Sequence, residues 1–227
     1  GVSNRNVESA RSKHRSFHSL ATEISPDLLV APEYSCPWDV LEESIANGRV
    51  PANGKLWLVG CEGIGREALE QTRGRSPANV RWIYEDLNSL DWSGGKTSLD
   101  AVCLLFRTRT ADSNQDILVV LVQFKTFPMG GVAYEANSLA LGRTFYLLHN
   151  NEEDTIKLIC FICSDVLSFL NPEWRSVRTL FAGLSSLLVI HIQLNARPRD
   201  AQYRAYRTEL LGRQEHRELI CLNWARN

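Results

Sequence analysis

Short apolar runs alternate along this chain with longer polar segments, and the runs are apolar at almost every position. Runs of about four to eight apolar residues are typical of strands, and continuous ones are typical of strands buried on both faces. We therefore predict buried strands in a layered protein. The predicted strands are 28–31, 56–59, 101–106, 117–124, 156–162, 187–192 and 219–222.

The segments between these runs carry apolar residues at helical spacing among many charges. Strands that alternate with helices predict the α/β class, while the polar turn at 111–116 predicts a hairpin within 101–124. Residues 66–97 are rich in glycine, serine and arginine, and their weak periodicity suggests an insertion or a long excursion. The predicted helices are 4–23, 38–47, 173–183 and 200–217.

Composition restricts the class of protein further. With 227 residues and 44% apolar content, the chain is long enough for one large domain with a real core. A formal charge of −1 excludes a protein that coats nucleic acid through net positive charge. Six cysteines scattered through apolar runs do not form a disulfide framework, so we expect a reducing cytoplasm, and no apolar run is long enough to span a membrane.

Three predicted strands end in reactive side chains: Glu33, Lys125 and Cys163. In open α/β sheets, ligands bind beyond the carboxyl ends of strands, so the three groups are candidates for one crevice. They would supply a base, a cation for a developing oxyanion and a nucleophile. Only five of the 25 basic residues are lysines, yet Lys125 ends the strongest apolar run, where burial would lower its pKa.

Each residue also has a structural interpretation. Taken alone, Glu33 is better explained as a solvated residue after a strand, and Lys125 is explained equally well as a side chain that extends its amine to the surface. Cys163 is explained as an inert core thiol. A metal or redox pair formed with Cys160 is disfavoured, because residues three apart on a strand face opposite sides.

The order of these motifs resembles the nitrilase superfamily of carbon–nitrogen hydrolases, and the resemblance covers most of the chain. Glu33, Lys125 and Cys163 match the family's catalytic glutamate, lysine and cysteine in order and spacing, and Glu135 matches its second glutamate. Residues 187–193 and 213–223 resemble the later strand and helix–strand segments. The matching motifs are Gln123-Phe124-Lys125 for Tyr-Arg-Lys and Cys163-Ser164-Asp165 for Cys-Tyr-Asp.

This resemblance implies a single domain over 1–227 with a four-layer α-β-β-α sandwich of the nitrilase type. It also implies an amidase-like hydrolase in which Cys163 attacks an amide or nitrile and forms a thioester. Glu33 would act as the base, while Lys125 and the backbone N–H of Ser164 would stabilise the oxyanion and Glu135 would orient Lys125. No metal or organic cofactor is required, and Cys61, Glu62 and His191 are possible pocket residues.

The chain departs from the family at several points. Asp100 replaces the usual asparagine before the lysine strand, Phe124 replaces an arginine, and the Pro-Glu after the nucleophile comes late, at Pro172 and Glu173. The family's first strand and last hairpin have no counterpart, which suggests a module of a larger protein. Nitrilase-like modules occur attached to bacterial reverse transcriptases of antiviral systems.

The alternative function is accordingly a non-catalytic module for assembly within a larger defence protein. Family members pair through helices, so a homo-oligomer is expected under either hypothesis. Residues 197–226 hold seven arginines against four acids, which suggests nucleic-acid contact only weakly.

Two other motifs offer weaker alternatives. Gly60, Gly63 and Gly65 follow a strand as a phosphate-binding loop would, but their spacing differs from the dinucleotide fingerprint. His14 and His18, four residues apart among basic residues, are placed to ligate a metal, but a solvated basic face explains them more simply.

Overall fold

The computed structural model describes residues 2–110, 112, 115–129, 133–149, 156–168, 179, 183–184, 186–212 and 216–224. Its helices are α1 (Val7–Ile24), α2 (Trp38–Ala46), α3 (Arg66–Gly74), α4 (Ala133–Ser138), α5 (Asp165–Ser168) and α6 (Ala201–Leu211), with a 3₁₀ turn at Leu87–Ser89. Its strands are β1 (Leu28–Cys36), β2 (Leu56–Ile64), β3 (Val80–Ile83), β4 (Leu99–Arg109), β5 (Asp116–Phe124), β6 (Leu147–Leu148), β7 (Lys157–Ile162), β8 (Leu187–Gln193) and β9 (Arg217–Asn223).

The strands form two sheets. The first has the order β1-β2-β4-β5-β3, and the second has the order β6-β7-β8-β9. Strands β4 and β5 pair antiparallel, as the predicted hairpin requires, and β7, β8 and β9 are parallel. The first sheet therefore contains Glu33 in its edge strand β1 and leads into Lys125, whereas the second leads into Cys163.

Three apolar cores separate four layers. Helices α1 to α3 pack on the first sheet around Trp57, Leu69 and other buried residues. The two sheets face each other through a core that includes Leu58 and Ile190. Helix α6 covers the outer face of the second sheet around Tyr206. This arrangement confirms the predicted α-β-β-α sandwich and explains why the strands are apolar on both faces.

Residues 66–97 contain regular elements that their weak periodicity did not predict. Helix α3 buries Leu69, and strand β3 forms the edge of the first sheet beside β5. Leu87 and Leu90 are also buried in the helix-side core. Whether the segment is an insertion relative to the nitrilase family stays a prediction.

The glycine-rich stretch after residue 59 is not a phosphate-binding loop, because strand β2 continues through it to Ile64. Gly60 pairs with Val102 inside the sheet. A Cβ atom at Gly60 would lie 2.2 Å from the backbone oxygen of Pro32, so glycine is required here by the close approach of β1.

Helix α1 begins after Asn6, whose side chain accepts a hydrogen bond from Ser9 N at 2.9 Å, and ends at Ile24, with Ser25 as its left-handed C-cap. The expectation of a solvated face at His14 and His18 is wrong for His18, which is completely buried. Its ring packs against Trp57 with 5.4 Å between the ring centroids, and burial lowers its pKa to about 4.

Some predictions concern parts of the chain outside the described residues. These are most of the helix at 173–183, the late Pro172 and Glu173, and the start of the 213–223 segment. Within the described part of the chain, none of the helices has the length and apolar character needed to cross a membrane.

Candidate active site

An irregularity in β1 turns Glu33 toward the space between the sheets. Leu29 and Ala31 face the helix-side core, and regular alternation would send Glu33 to the same face. The pairing with β2 shifts between Ala31 and Cys36, and Tyr34 takes a left-handed φ of 56°. This bulge redirects Glu33, which is buried and lies within hydrogen-bond distance of Lys125.

Lys125 is completely buried directly after β5. Its Nζ donates to Glu33 Oε1 at 2.8 Å and to Glu135 Oε1 at 2.9 Å. Asp100 Oδ2 lies 3.4 Å from the same nitrogen. Three carboxyl groups from separate elements therefore surround one ammonium group.

This environment corrects the expectation that burial lowers the pKa of Lys125. Burial acts in that direction, but Glu33 and the neighbouring Asp100, Cys163 and Glu135, which add negative charge whenever they are ionised, raise the pKa well above its ordinary value. The pKa of Asp100 is also raised, first by burial and then by the neighbouring Glu33 carboxylate. Asp100 therefore favours its neutral form, which reduces the excess of negative charge around Lys125.

Further hydrogen bonds fix the two glutamates. Glu135 Oε2 accepts from the backbone N–H of Met129 at 2.6 Å. Glu33 Oε2 accepts from the backbone N–H of Leu194, at 2.5 Å, just beyond β8 in the second sheet. The indole of Trp224 donates to the backbone oxygen of Glu33 at 2.8 Å. Glu33 is thus held from both sheets.

Cys163 follows β7 in a tight turn with a left-handed φ of 45°. Its backbone N–H donates to Ile192 O on β8 at 2.7 Å. Asp165 braces the turn: one carboxylate oxygen accepts from Phe127 N at 2.9 Å, and the other accepts from Ile162 N at 3.0 Å. The strained residue is therefore held by the end of β8 and by the loop after Lys125.

The Cys163 thiol is 2% exposed, and burial raises its pKa well above the ordinary value. The Glu33 charge raises the pKa further, whereas Lys125 opposes this effect. Tyr203 on α6 places its hydroxyl 3.9 Å from Sγ. At rest the sulfur is thus a neutral thiol within the electrostatic field of Glu33 and Lys125.

The neighbouring predicted residues have different surroundings. Ser164 donates its hydroxyl to Phe127 O at 2.6 Å. The group that concerns the predicted oxyanion is its backbone N–H. His191 lies on the α6 side of the second sheet, where it stacks on Tyr203 at a 6.0 Å centroid distance. Its Nε2 is 2.9 Å from Cys163 O, so the imidazole stabilises the Cys163 turn from the α6 side.

Cys61 and Glu62 are not brought to Lys125. Cys61 is buried in the helix-side core, with its Sγ 3.8 Å from Cys103 Sγ. Glu62 accepts from the side chain of Asn4 at 2.7 Å. Cys61 therefore contacts β4, and Glu62 contacts the segment that precedes α1.

The sequence alone does not identify Tyr203, Leu194 or Trp224 as contacts of this site. Each belongs to a segment distant in sequence from the residue that it contacts. Leu194 and Trp224 directly follow the last residues of β8 and β9. A position at the end of a strand is the sequence signal that marks them as candidates for the site.

Among the described residues, the set of side chains spaced to hold a metal ion lies elsewhere, at His14, His18 and Cys36. The site between the sheets instead combines a buried thiol, a carboxylate and an ammonium group. Such a combination suits nucleophilic attack on a polarised carbon with proton transfer and charge stabilisation.

Comparisons with known proteins give likenesses among solved structures only. No protein-family model and no curated protein matches the chain. A crystal structure of a CN-hydrolase superfamily protein from Xanthomonas campestris, with an arsenic adduct in its active site, is similar with a TM-score of 0.46 and 10% sequence identity. The match covers 94% of this chain and 70% of the other. The chain is thus similar in structure to a CN-hydrolase superfamily protein.

Proposed function

We propose that this protein hydrolyses a carbon–nitrogen bond in a small amide or nitrile through a thioester on Cys163. The observation that carries the proposal is the buried ion pair of Lys125 and Glu33 beside a buried cysteine on a strained turn. Burying an ion pair is costly, so structural stability alone is a weak reason for a protein to contain one. Perturbed ionisable groups gathered with a nucleophile are typical of active sites.

In the proposed first step, Cys163 Sγ forms a bond to the amide carbon while its proton passes to Glu33. This transfer is needed because the resting thiol is neutral. The developing oxyanion would be stabilised by the Lys125 ammonium group and the backbone N–H of Ser164. Glu33 then delivers the proton to the nitrogen as the carbon–nitrogen bond breaks, and ammonia leaves.

In the second step, Glu33 accepts a proton from water as the water oxygen attacks the thioester carbon. The carbon–sulfur bond breaks, and the proton returns to Cys163, which regenerates the neutral thiol. The sum is amide plus water giving carboxylic acid plus ammonia. A nitrile would consume two waters, because its thioimidate on Cys163 must first add water before ammonia leaves and the thioester remains. Glu135 supports both steps by accepting a hydrogen bond from Lys125, which keeps Nζ charged and oriented.

The test is release of ammonia from a panel of small amides and nitriles, with mass spectrometry of the protein to detect an acyl adduct. Cys163→Ala is expected to lose at least about a thousandfold in turnover, because it lacks the nucleophile. Cys160→Ala is the matched control, since Cys160 is an equally buried cysteine in β7. We expect this control to keep its activity and its adduct.

Equal turnover in the two alanine variants would contradict the assignment of Cys163. A folded wild-type protein without turnover or adduct across the panel would instead favour the alternative of a non-catalytic assembly module. Its mass in solution would then be the next measurement.

The resting state of the thiol gives a second prediction. Alkylation of Cys163 by iodoacetamide should be slow at pH 7 and should rise as the pH increases beyond 9, because its pKa is raised. Glu33→Gln should alkylate faster at each pH, since loss of the negative charge lowers that pKa. One unit of pKa corresponds to about tenfold more thiolate in the range below the pKa.

Glu33→Gln should at the same time lose turnover, because its amide cannot accept the proton. Glu62→Gln is the control, as Glu62 hydrogen-bonds to Asn4 away from the site. Slower alkylation in Glu33→Gln than in wild type at every pH would mean that Glu33 activates the resting thiol, contrary to this mechanism.

A further inference from the structure

A second cluster of reactive side chains lies on the helix side of the first sheet, apart from the proposed active site. His14 and His18 are one turn apart on α1 and so share a face, and Cys36 ends β1 beneath them. One ligand atom from each residue lies within 4.8 Å of the other two. We propose that this cluster binds a zinc ion.

The hydrogen bonds of His18 select the atom that would bind. Its Nδ1 lies 2.8 Å from Ser44 Oγ, and within the described chain Nε2 has no hydrogen-bond partner. Metal-binding histidines usually engage their second nitrogen in this way, which fixes the tautomer and the ring direction. An imidazole nitrogen without a partner inside a completely buried side chain is costly, and a metal ion would satisfy it.

The other two ligands complete a donor set suited to zinc. His14 Nδ1 also has no hydrogen-bond partner among the residues that the structure describes. The Cys36 thiol is completely buried. Two imidazoles and one thiolate are typical zinc ligands, with bond lengths of about 2.0–2.3 Å. The ligand atoms, which lie within 4.8 Å of one another, would need to close by at most about 1.3 Å around the ion.

The position of the cluster gives the ion both access and a structural role. His14 is only half-buried, so the cluster lies near the surface on the His14 side, and a tetrahedral zinc ion with three protein ligands would take water as its fourth. Binding would displace the Cys36 proton, so each ion that enters releases one proton to solvent. The ion would join α1 to β1 three residues beyond Glu33, next to the bulge that orients this carboxylate.

The test is titration of the full chain, freed of metal with a chelator, first with cobalt as a spectroscopic probe and then with zinc in competition. We expect one equivalent of cobalt with the absorption bands of tetrahedral coordination and of thiolate charge transfer. Cys36→Ser should abolish the thiolate band, and His14→Gln should weaken affinity at least about tenfold. His14 is the preferred histidine to replace, because it is only half-buried and its loss should not prevent folding.

Cys163→Ala is the matched control, because it tests whether the ion binds at the thiol of the proposed active site instead. It should keep the full spectrum and affinity. The proposal is overturned if Cys163→Ala loses the bands, if Cys36→Ser keeps the thiolate band, or if folded wild-type protein binds no cobalt or zinc at micromolar concentration.

Discussion

Replacing Lys125 with methionine is expected to lower the free energy of unfolding by about 3–5 kcal/mol, because it leaves buried charges without a counterion. Lys125 is completely buried, and its Nζ donates to both Glu33 and Glu135. Methionine keeps much of the side-chain volume, so the loss would come from charge rather than from a cavity. Urea denaturation of the wild type and the variant at neutral pH measures the difference.

Two further variants separate charge from packing. Lys55→Met removes a lysine whose partner, Asp27, is 91% exposed on its side chain, and should cost less than about 1 kcal/mol. Glu135→Gln in the Lys125→Met background should recover part of the lost stability, because one uncompensated carboxylate is removed. A double variant no more stable than Lys125→Met would contradict the electrostatic explanation.

Gly60→Ala is expected to destabilise the protein by about 3 kcal/mol, near the upper end of the usual cost of overpacking. The new Cβ would lie 2.2 Å from Pro32 O and 2.8 Å from Glu33 Cα. Both are backbone atoms, so β1 would have to move away from β2. That movement would also displace Glu33 from Lys125, and the proposed hydrolytic turnover should fall together with stability.

Gly74→Ala is the matched control for this substitution. Gly74 ends α3, and a Cβ there meets nothing within 4 Å. Alanine should be neutral or slightly stabilising at this position, since it favours helix more than glycine does. Equal stability of Gly60→Ala and Gly74→Ala in urea would show that β1 and β2 tolerate the extra carbon.

The apolar pattern predicts the α/β class because buried strands have a simple pattern, whereas the four-layer order is predicted by the resemblance to the nitrilase superfamily. The apolar runs at 101–106 and 117–124 lie within β4 and β5, and the polar turn between them joins the antiparallel pair. The reactive residues can be predicted because each one follows an apolar strand. The structure brings two of them, Glu33 and Lys125, into direct contact.

Other features depend on contacts between distant segments. Nothing local to β1 shows that the strand changes face before Cys36, because the bulge is defined by its pairing with β2. Strand β3 is a four-residue edge strand with alternating half-buried and exposed positions, and its charged and polar neighbours hide the pattern. His18 is surrounded by charges in sequence, yet it is covered by Trp57 from β2.

The core between the two sheets has a consequence for how mutations act on the site. Glu33 and Lys125 belong to one sheet and Cys163 to the other, so the distance between the proposed proton acceptor and the Cys163 sulfur depends on how the two sheets pack together. Leu58 and Ile190 lie in that contact layer. Shortening either side chain would change the spacing between the two sheets. A loss of the proposed activity would then arise from residues in the core rather than in the proposed active site.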